Sequence, residues 1–81
     1  MATFIAFTEK SRFCGGFHKC QRWALEQACK HQTLVKIAKA RSGEKHAHIV
    51  GEASTTGIRY LISRHTIAVK KLRLLNEQKE A

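Results

Sequence analysis

A change of hydrophobic period constrains this chain more than any other feature. Phe17, Cys20, Ala24 and Ala28, flanked by Leu25 and Cys29, recur at helical intervals, while Lys19, Arg22, Glu26 and Lys30 fall elsewhere on the wheel. The spacing predicts a helix over about residues 17–31. Beyond it the period drops to two: Val35 and Ile37 share one face of an extended segment, as do Ala47, Ile49 and Ala53, and then Ile58, Tyr60 and Ile62. Ser42-Gly43-Glu44 and Ser54-Thr55-Thr56-Gly57 separate these segments with the length and chemistry of hairpin loops, so a three-stranded antiparallel meander is expected. Residues 2–8 are aromatic and β-branched and lead into a polar stretch ending at Gly15-Gly16, which predicts a first strand followed by a loop. After Ile62 a helical stripe returns at Ala68, Val69, Leu72 and Leu75, with Ser63 or Thr66 as its N-cap.

The expected fold class is therefore α+β in the order β-α-β-β-β-α, with the meander packed against helices on one face. The chain of 81 residues has no proline, no internal repeat and no break in composition, so residues 1–81 read as one small basic domain. Leu, Ile, Val and Phe make up 19 of the 81 residues, just above the roughly 20% at which chains tend toward disorder. The core should form with little surplus stability.

Charge supplies the functional signal. Fifteen Lys and Arg face six acids, all of them Glu, for a net charge of +9, and the pI is about 10.0. Between Lys10 and Arg73 there are 14 basic residues against Glu26, Glu44 and Glu52. Such a balance points to a polyanionic partner, with nucleic acid leading. No apolar run approaches the roughly 18 residues of a membrane span, and the N-terminus lacks a basic leader, so a soluble protein is expected, cytoplasmic or, in a eukaryote, nuclear. Cys14, Cys20 and Cys29 are an odd number and read as reduced thiols.

With Val35, Ile37, Ala47, Ile49, Ile58, Tyr60 and Ile62 toward the helices, pleat alternation sends Lys36, His46, His48 and Arg59 to the opposite, solvated face. Lys39 and Arg41 at the end of the first meander strand, and Lys70, Lys71 and Arg73 on the last helix, extend that platform. The function expected is a non-enzymatic nucleic-acid-binding protein, a small regulator or accessory factor, gripping phosphates with these cations. Sheet-face readers of single strands display stacking aromatics. The meander offers only Tyr60, which alternation turns inward, so duplex DNA or structured RNA is the expected target. The helix, three strands, helix portion also shares its element order with double-stranded RNA-binding domains, an analogy at the level of fold alone.

A second organisation starts from Ile62-Ser63-Arg64-His65-Thr66-Ile67, with Leu72 further on. Over about a dozen residues it resembles the turn and recognition-helix opening of helix-turn-helix regulators of the GntR type. That resemblance implies a mostly α fold, with Arg64 and His65 in the major groove and Lys70, Lys71 and Arg73 near phosphate. The preceding Ser54-Thr55-Thr56-Gly57 is poor helix sequence, which favours the meander.

Other chemistries fit less well. Cys14, His18, Cys20, Cys29 and His31 are enough donors for zinc, but five residues separate Cys14 from Cys20 and no Cys-x2-4-Cys knuckle exists, so no metal or other cofactor is expected. Without Asp the usual magnesium holders and triad acids are missing, and Cys14 near His18 is the one nucleophile-base pairing the sequence offers; no enzyme activity is expected. A rival of another class is a small inhibitor or adaptor whose cations dock on an acidic protein surface. A domain this small also leaves room for a homodimer.

Overall fold

The computed structural model describes residues 2–61 and 65–78. The chain forms β1 (Ala2–Phe7), β2 (Ser11–Gly15), α1 (Phe17–His31), β3 (Val35–Arg41), β4 (His46–Ser54), β5 (Gly57–Tyr60), β6 (Thr66–Ala68), α2 (Val69–Arg73) and β7 (Asn76–Glu77). One sheet runs β5-β4-β3-β1-β2-β7, and β6 adds to β4. Pairings are antiparallel except β2 with β7. The β4 residues Gly51–Ser54 pair with β5 and His46–His48 with β6, so β5 and β6 act as one interrupted edge strand. Backbone bonds from Leu61 N–H to Val50 O and from Ile49 N–H to His65 O carry the ladder across the interruption.

This architecture corrects the β-α-β-β-β-α order and excludes the helix-turn-helix alternative. The meander of β3, β4 and β5 forms, but inside a larger, mostly β sheet. β2 occupies the stretch read as a loop: Thr8 Oγ1 accepts from the N–H groups of Lys10 and Ser11, which turns the chain back so that Phe13 pairs with Ala6. Near the C-terminus, β-branched Thr66 and Ile67 extend along β4, leaving only Val69–Arg73 helical. Ser54–Gly57, the poor helix sequence, is the β4–β5 turn, closed by a 2.9 Å Ser54–Thr56 hydroxyl contact and Gly57 at φ 133°.

The two helices cover opposite faces rather than one. On the α1 side Cys20, Ala24 and Ala28 are fully buried against Ala6, Phe13, Val35, Ile37 and Ala53. Alanines on both layers let the helix approach closely, so this core has little tolerance for added volume. On the other side Leu72 of α2 is 1% exposed and packs with Ile5, Ala38, Ala47 and Ile49. Arg12 Nη1 donates to the Leu72 carbonyl at 2.7 Å and pins the short helix down.

A β-bulge decides which β4 residues meet which helix. Ile37 pairs with Gly51 but Ala38 with Ile49, so Val50 is the extra residue. The expectation that Ala47, Ile49 and Ala53 share a face fails for this reason: Ala53 joins the α1 core, whereas Ala47 and Ile49 join the α2 core.

α1 ends at Gln32 in the left-handed region, φ 50°, with its N–H bonded to Ala28 O. A Cβ is strained there and glycine is the favoured residue. Gln32→Gly is expected to raise stability by roughly 0.5–1 kcal/mol, seen as a higher urea midpoint at unchanged slope.

Cys20 has no exposed surface, its Sγ lies 3.3 Å from Phe4 O, and burial pushes its thiol up to about 11 from 9.0. The folded state therefore holds this proton more tightly than the unfolded chain. Its contribution to stability is complete below about pH 9 and is lost as pH rises toward about 11. The urea midpoint should fall across that window, and Cys20→Ala should flatten the fall.

Candidate nucleic-acid interface

Register fixes where each expected cation lies. Lys36 pairs with Phe7 on one side and Glu52 on the other, and Glu52 pairs with Arg59. Phe7 belongs to the α2 core, so Lys36, Glu52 and Arg59 face the α2 side. Arg59 reaches Glu52 at 3.6 Å, which lowers the field these cations present. Lys39 instead lies between Phe4 and His48, and Phe4 packs with the α1 core. Alternation places Arg41 with Lys39, and His46 with His48, on that α1 side. The sheet therefore separates Lys36 and Arg59 from His46 and His48, which alternation alone had placed together. The bulge at Val50 is the cause.

Lys70, Lys71 and Arg73 are exposed on α2. Lys71 lines a groove of about 480 Å³ with Lys36, Phe7 and Leu34. Arg73 borders a cavity of about 690 Å³ with Arg12, Cys14, Arg41 and Glu44, at the outer end of β3. Arg64 lies outside the described residues, as do Ile62 and Ser63.

The α1 side gains a second ingredient. α1 begins at Phe17 beside Phe4, with ring centroids 4.7 Å apart, so the outer ends of β3 and β4 extend past the start of the helix. That open stretch carries Lys39, Arg41, His46 and His48. Gly16 caps the helix without a side-chain bond, and its first turn holds no acid, so the positive end of the helix dipole adds to the same field. Among the described residues Glu9 and Glu44 sit in turns, Glu26 lies on α1, Glu52 faces the α2 side and Glu77 is in β7. Glu44 lies in the turn between Arg41 and His46 and lines one cavity with Arg41, and Glu77 lines the cavity at the start of α1, so these two acids border the stretch.

Sequence reasoning missed the aromatic rings here. Tyr60 does face the helix side, as alternation implied, yet it is 65% exposed because only the first turns of α1 reach it. Its ring lies 6.0 Å from Phe17, and Gln21 Nε2 donates to its hydroxyl at 2.7 Å. The His18 ring centroid lies 6.5 Å from that of Phe17, and Lys39 Nζ sits 5.9 Å from the centre of the Phe4 ring. The available signal was the start of the helical period at Phe17: a helix beginning there leaves the strand end at Tyr60 uncovered.

No protein-family profile, curated protein or solved structure matches this chain.

Other chemistries find less to work with. Among the described residues no three His, Cys or Glu side chains converge as metal ligands. Cys14 and His18 line one cavity of about 430 Å³, but partial desolvation outweighs the pull of Arg12 and raises the Cys14 thiol above its ordinary value, opposite to an activated nucleophile. The Arg12 guanidinium is committed to Leu72 O and, at 3.7 Å, to Glu77, which ties α2 and β7 to β2. Among the described residues no helix is long and apolar enough to cross a membrane.

Proposed function

We propose that the chain is a non-enzymatic nucleic-acid-binding module, a small regulator or accessory factor that holds the sugar-phosphate backbone along the Lys39, Arg41, His46 and His48 row. What supports the reading is that row itself: Lys39 paired with His48 across β3 and β4, Arg41 and His46 further along the same open stretch of sheet, and beside them a helix whose first turn carries no acid. Each cation that displaces condensed counterions adds to affinity through ion release. Lys36, Arg59, Lys70 and Lys71 lie on the other side and add long-range attraction rather than contacts to the same strand.

The two permanently charged members of the row, Lys39 and Arg41, give a log–log slope of affinity against salt of roughly −1.4 to −1.8. Fluorescence anisotropy with labelled oligonucleotides at rising salt measures it. A slope near zero, or tighter binding to an acidic protein than to nucleic acid at equal ionic strength, would transfer the proposal to the inhibitor or adaptor class.

A further inference from the structure

Resting on the nucleic-acid reading above, we infer that the occupant of the α1-side face is a single strand with unpaired bases, which stack on Tyr60 and Phe17 while its phosphates meet Lys39 and the neighbouring cations. This replaces the duplex expectation, which depended on Tyr60 being covered. A lone exposed tyrosine carries no such argument, but this ring is held in place. Gln21 fixes its hydroxyl, Phe17 supports one side, and it stands on the edge strand β5, beyond which the described sheet does not continue. A ring that is already ordered loses little entropy when a base stacks on it. Phe17 and Phe4 continue the aromatic row inward to the point where Lys39 lies over Phe4, and His48 pairs with Lys39 across the strands. Exposed Tyr60, half-buried Phe17 and Phe4, and then Lys39 with His48 thus follow one another along one surface, combining a ring platform with positive charge as sequence-tolerant single-strand grooves do. A duplex hides its base faces inside the helix and leaves such a row nothing to stack against.

The test compares anisotropy titrations of the full chain with oligothymidylate and oligouridylate of about ten nucleotides, an abasic strand of the same length and a matched duplex. At least one of the two base-bearing single strands should bind more tightly than both the abasic strand and the duplex. Tyr60→Ala should weaken that binding roughly 5- to 150-fold, leave the salt slope and the duplex affinity unchanged, and keep the wild-type melting transition. Tyr60→Phe, which retains the ring, should stay within a few-fold of wild type. Gln21→Ala frees the ring without removing it and should give an intermediate loss. Equal binding of base-bearing and abasic strands, or an unchanged affinity in Tyr60→Ala, overturns the stacking inference while the phosphate reading stands. Failure of every strand and of the duplex to bind at low salt overturns the phosphate reading itself.

Discussion

Ala24→Asp should abolish the cooperative thermal transition. Ala24 has no exposed surface and lies in the middle of α1, within the cluster formed by Ala6, Phe13, Val35, Ile37 and Ala53. A carboxylate there loses its hydration and meets no cation. It must either stay charged in an apolar layer or take up a proton far above its normal range, and each costs several kcal/mol. The larger side chain also forces apart two layers that approach closely through alanines, adding roughly 1–3 kcal/mol. A domain of this length has a total stability of roughly 4–12 kcal/mol. The expected loss of about 4 kcal/mol or more matches the whole stability at the lower end of that range, where a chain with so few large apolar residues belongs, so far-ultraviolet circular dichroism at 25 °C should show little native structure and no melting step. Ala24→Ser, which adds one hydroxyl able to bond back to the helix carbonyls, should cost only about 1 kcal/mol. A normal transition in Ala24→Asp would mean that α1 does not dock on the sheet through this face.

The second large effect concerns binding. Lys39→Gln combined with Arg41→Gln should weaken nucleic-acid affinity roughly 10- to 100-fold near 0.1 M salt and reduce the log–log salt slope by roughly 1.4 to 1.8, because two counterion-releasing contacts disappear together. Both positions carry half-buried or exposed side chains at the end of β3, so folding should be little affected beyond the loss of the Lys39–Phe4 contact. Lys36→Gln combined with Lys71→Gln makes the contrast. It removes the same formal charge from the opposite side of the sheet, where both line one groove. Its affinity should fall only a few-fold and its slope should hardly move. Equal losses from the two pairs would mean that binding follows net charge rather than the Lys39 row.

Much of the scaffold was legible from the sequence, and the failures have identifiable physical causes. The helical spacing from Phe17 to His31 matches α1 because Cys20, Ala24 and Ala28 are the residues it buries. Period two located β3, β4 and β5, and the glycines at φ 85° and 133° in the two turns fell where turn chemistry placed them. Period two could not reveal the bulge. One extra residue at Val50 reverses the alternation, so a correct strand assignment produced a wrong face for His46 and His48 relative to Lys36 and Arg59. β2 was hidden because Ser11-Arg12-Phe13-Cys14-Gly15 buries a single large side chain, Phe13, too few for a pattern. The stripe Ala68, Val69, Leu72 and Leu75 is consistent with one helix, yet Ala68 is still extended on β4 and only the next five residues turn. Tertiary pairing along β4 prevailed over local period there. The candidate site shows the same pattern. Lys39, Arg41, His46 and His48 were all identified as basic candidates, whereas the exposure of Tyr60 depends on where the start of α1 lies against β5: the helical period marks that start at Phe17, but the packing of Phe17 and Gln21 on Tyr60 is a tertiary feature.

Backbone amide chemical-shift mapping during titration with a short single-stranded oligonucleotide tests the proposed surface most directly. Binding along the Lys39 row should move the amides of Lys39, Arg41, His46, His48, Phe17, His18 and Tyr60 together, and leave Lys36, Lys70 and Lys71 nearly still. Perturbations centred on α2 and Lys36, or spread evenly over both faces of the sheet, would contradict it.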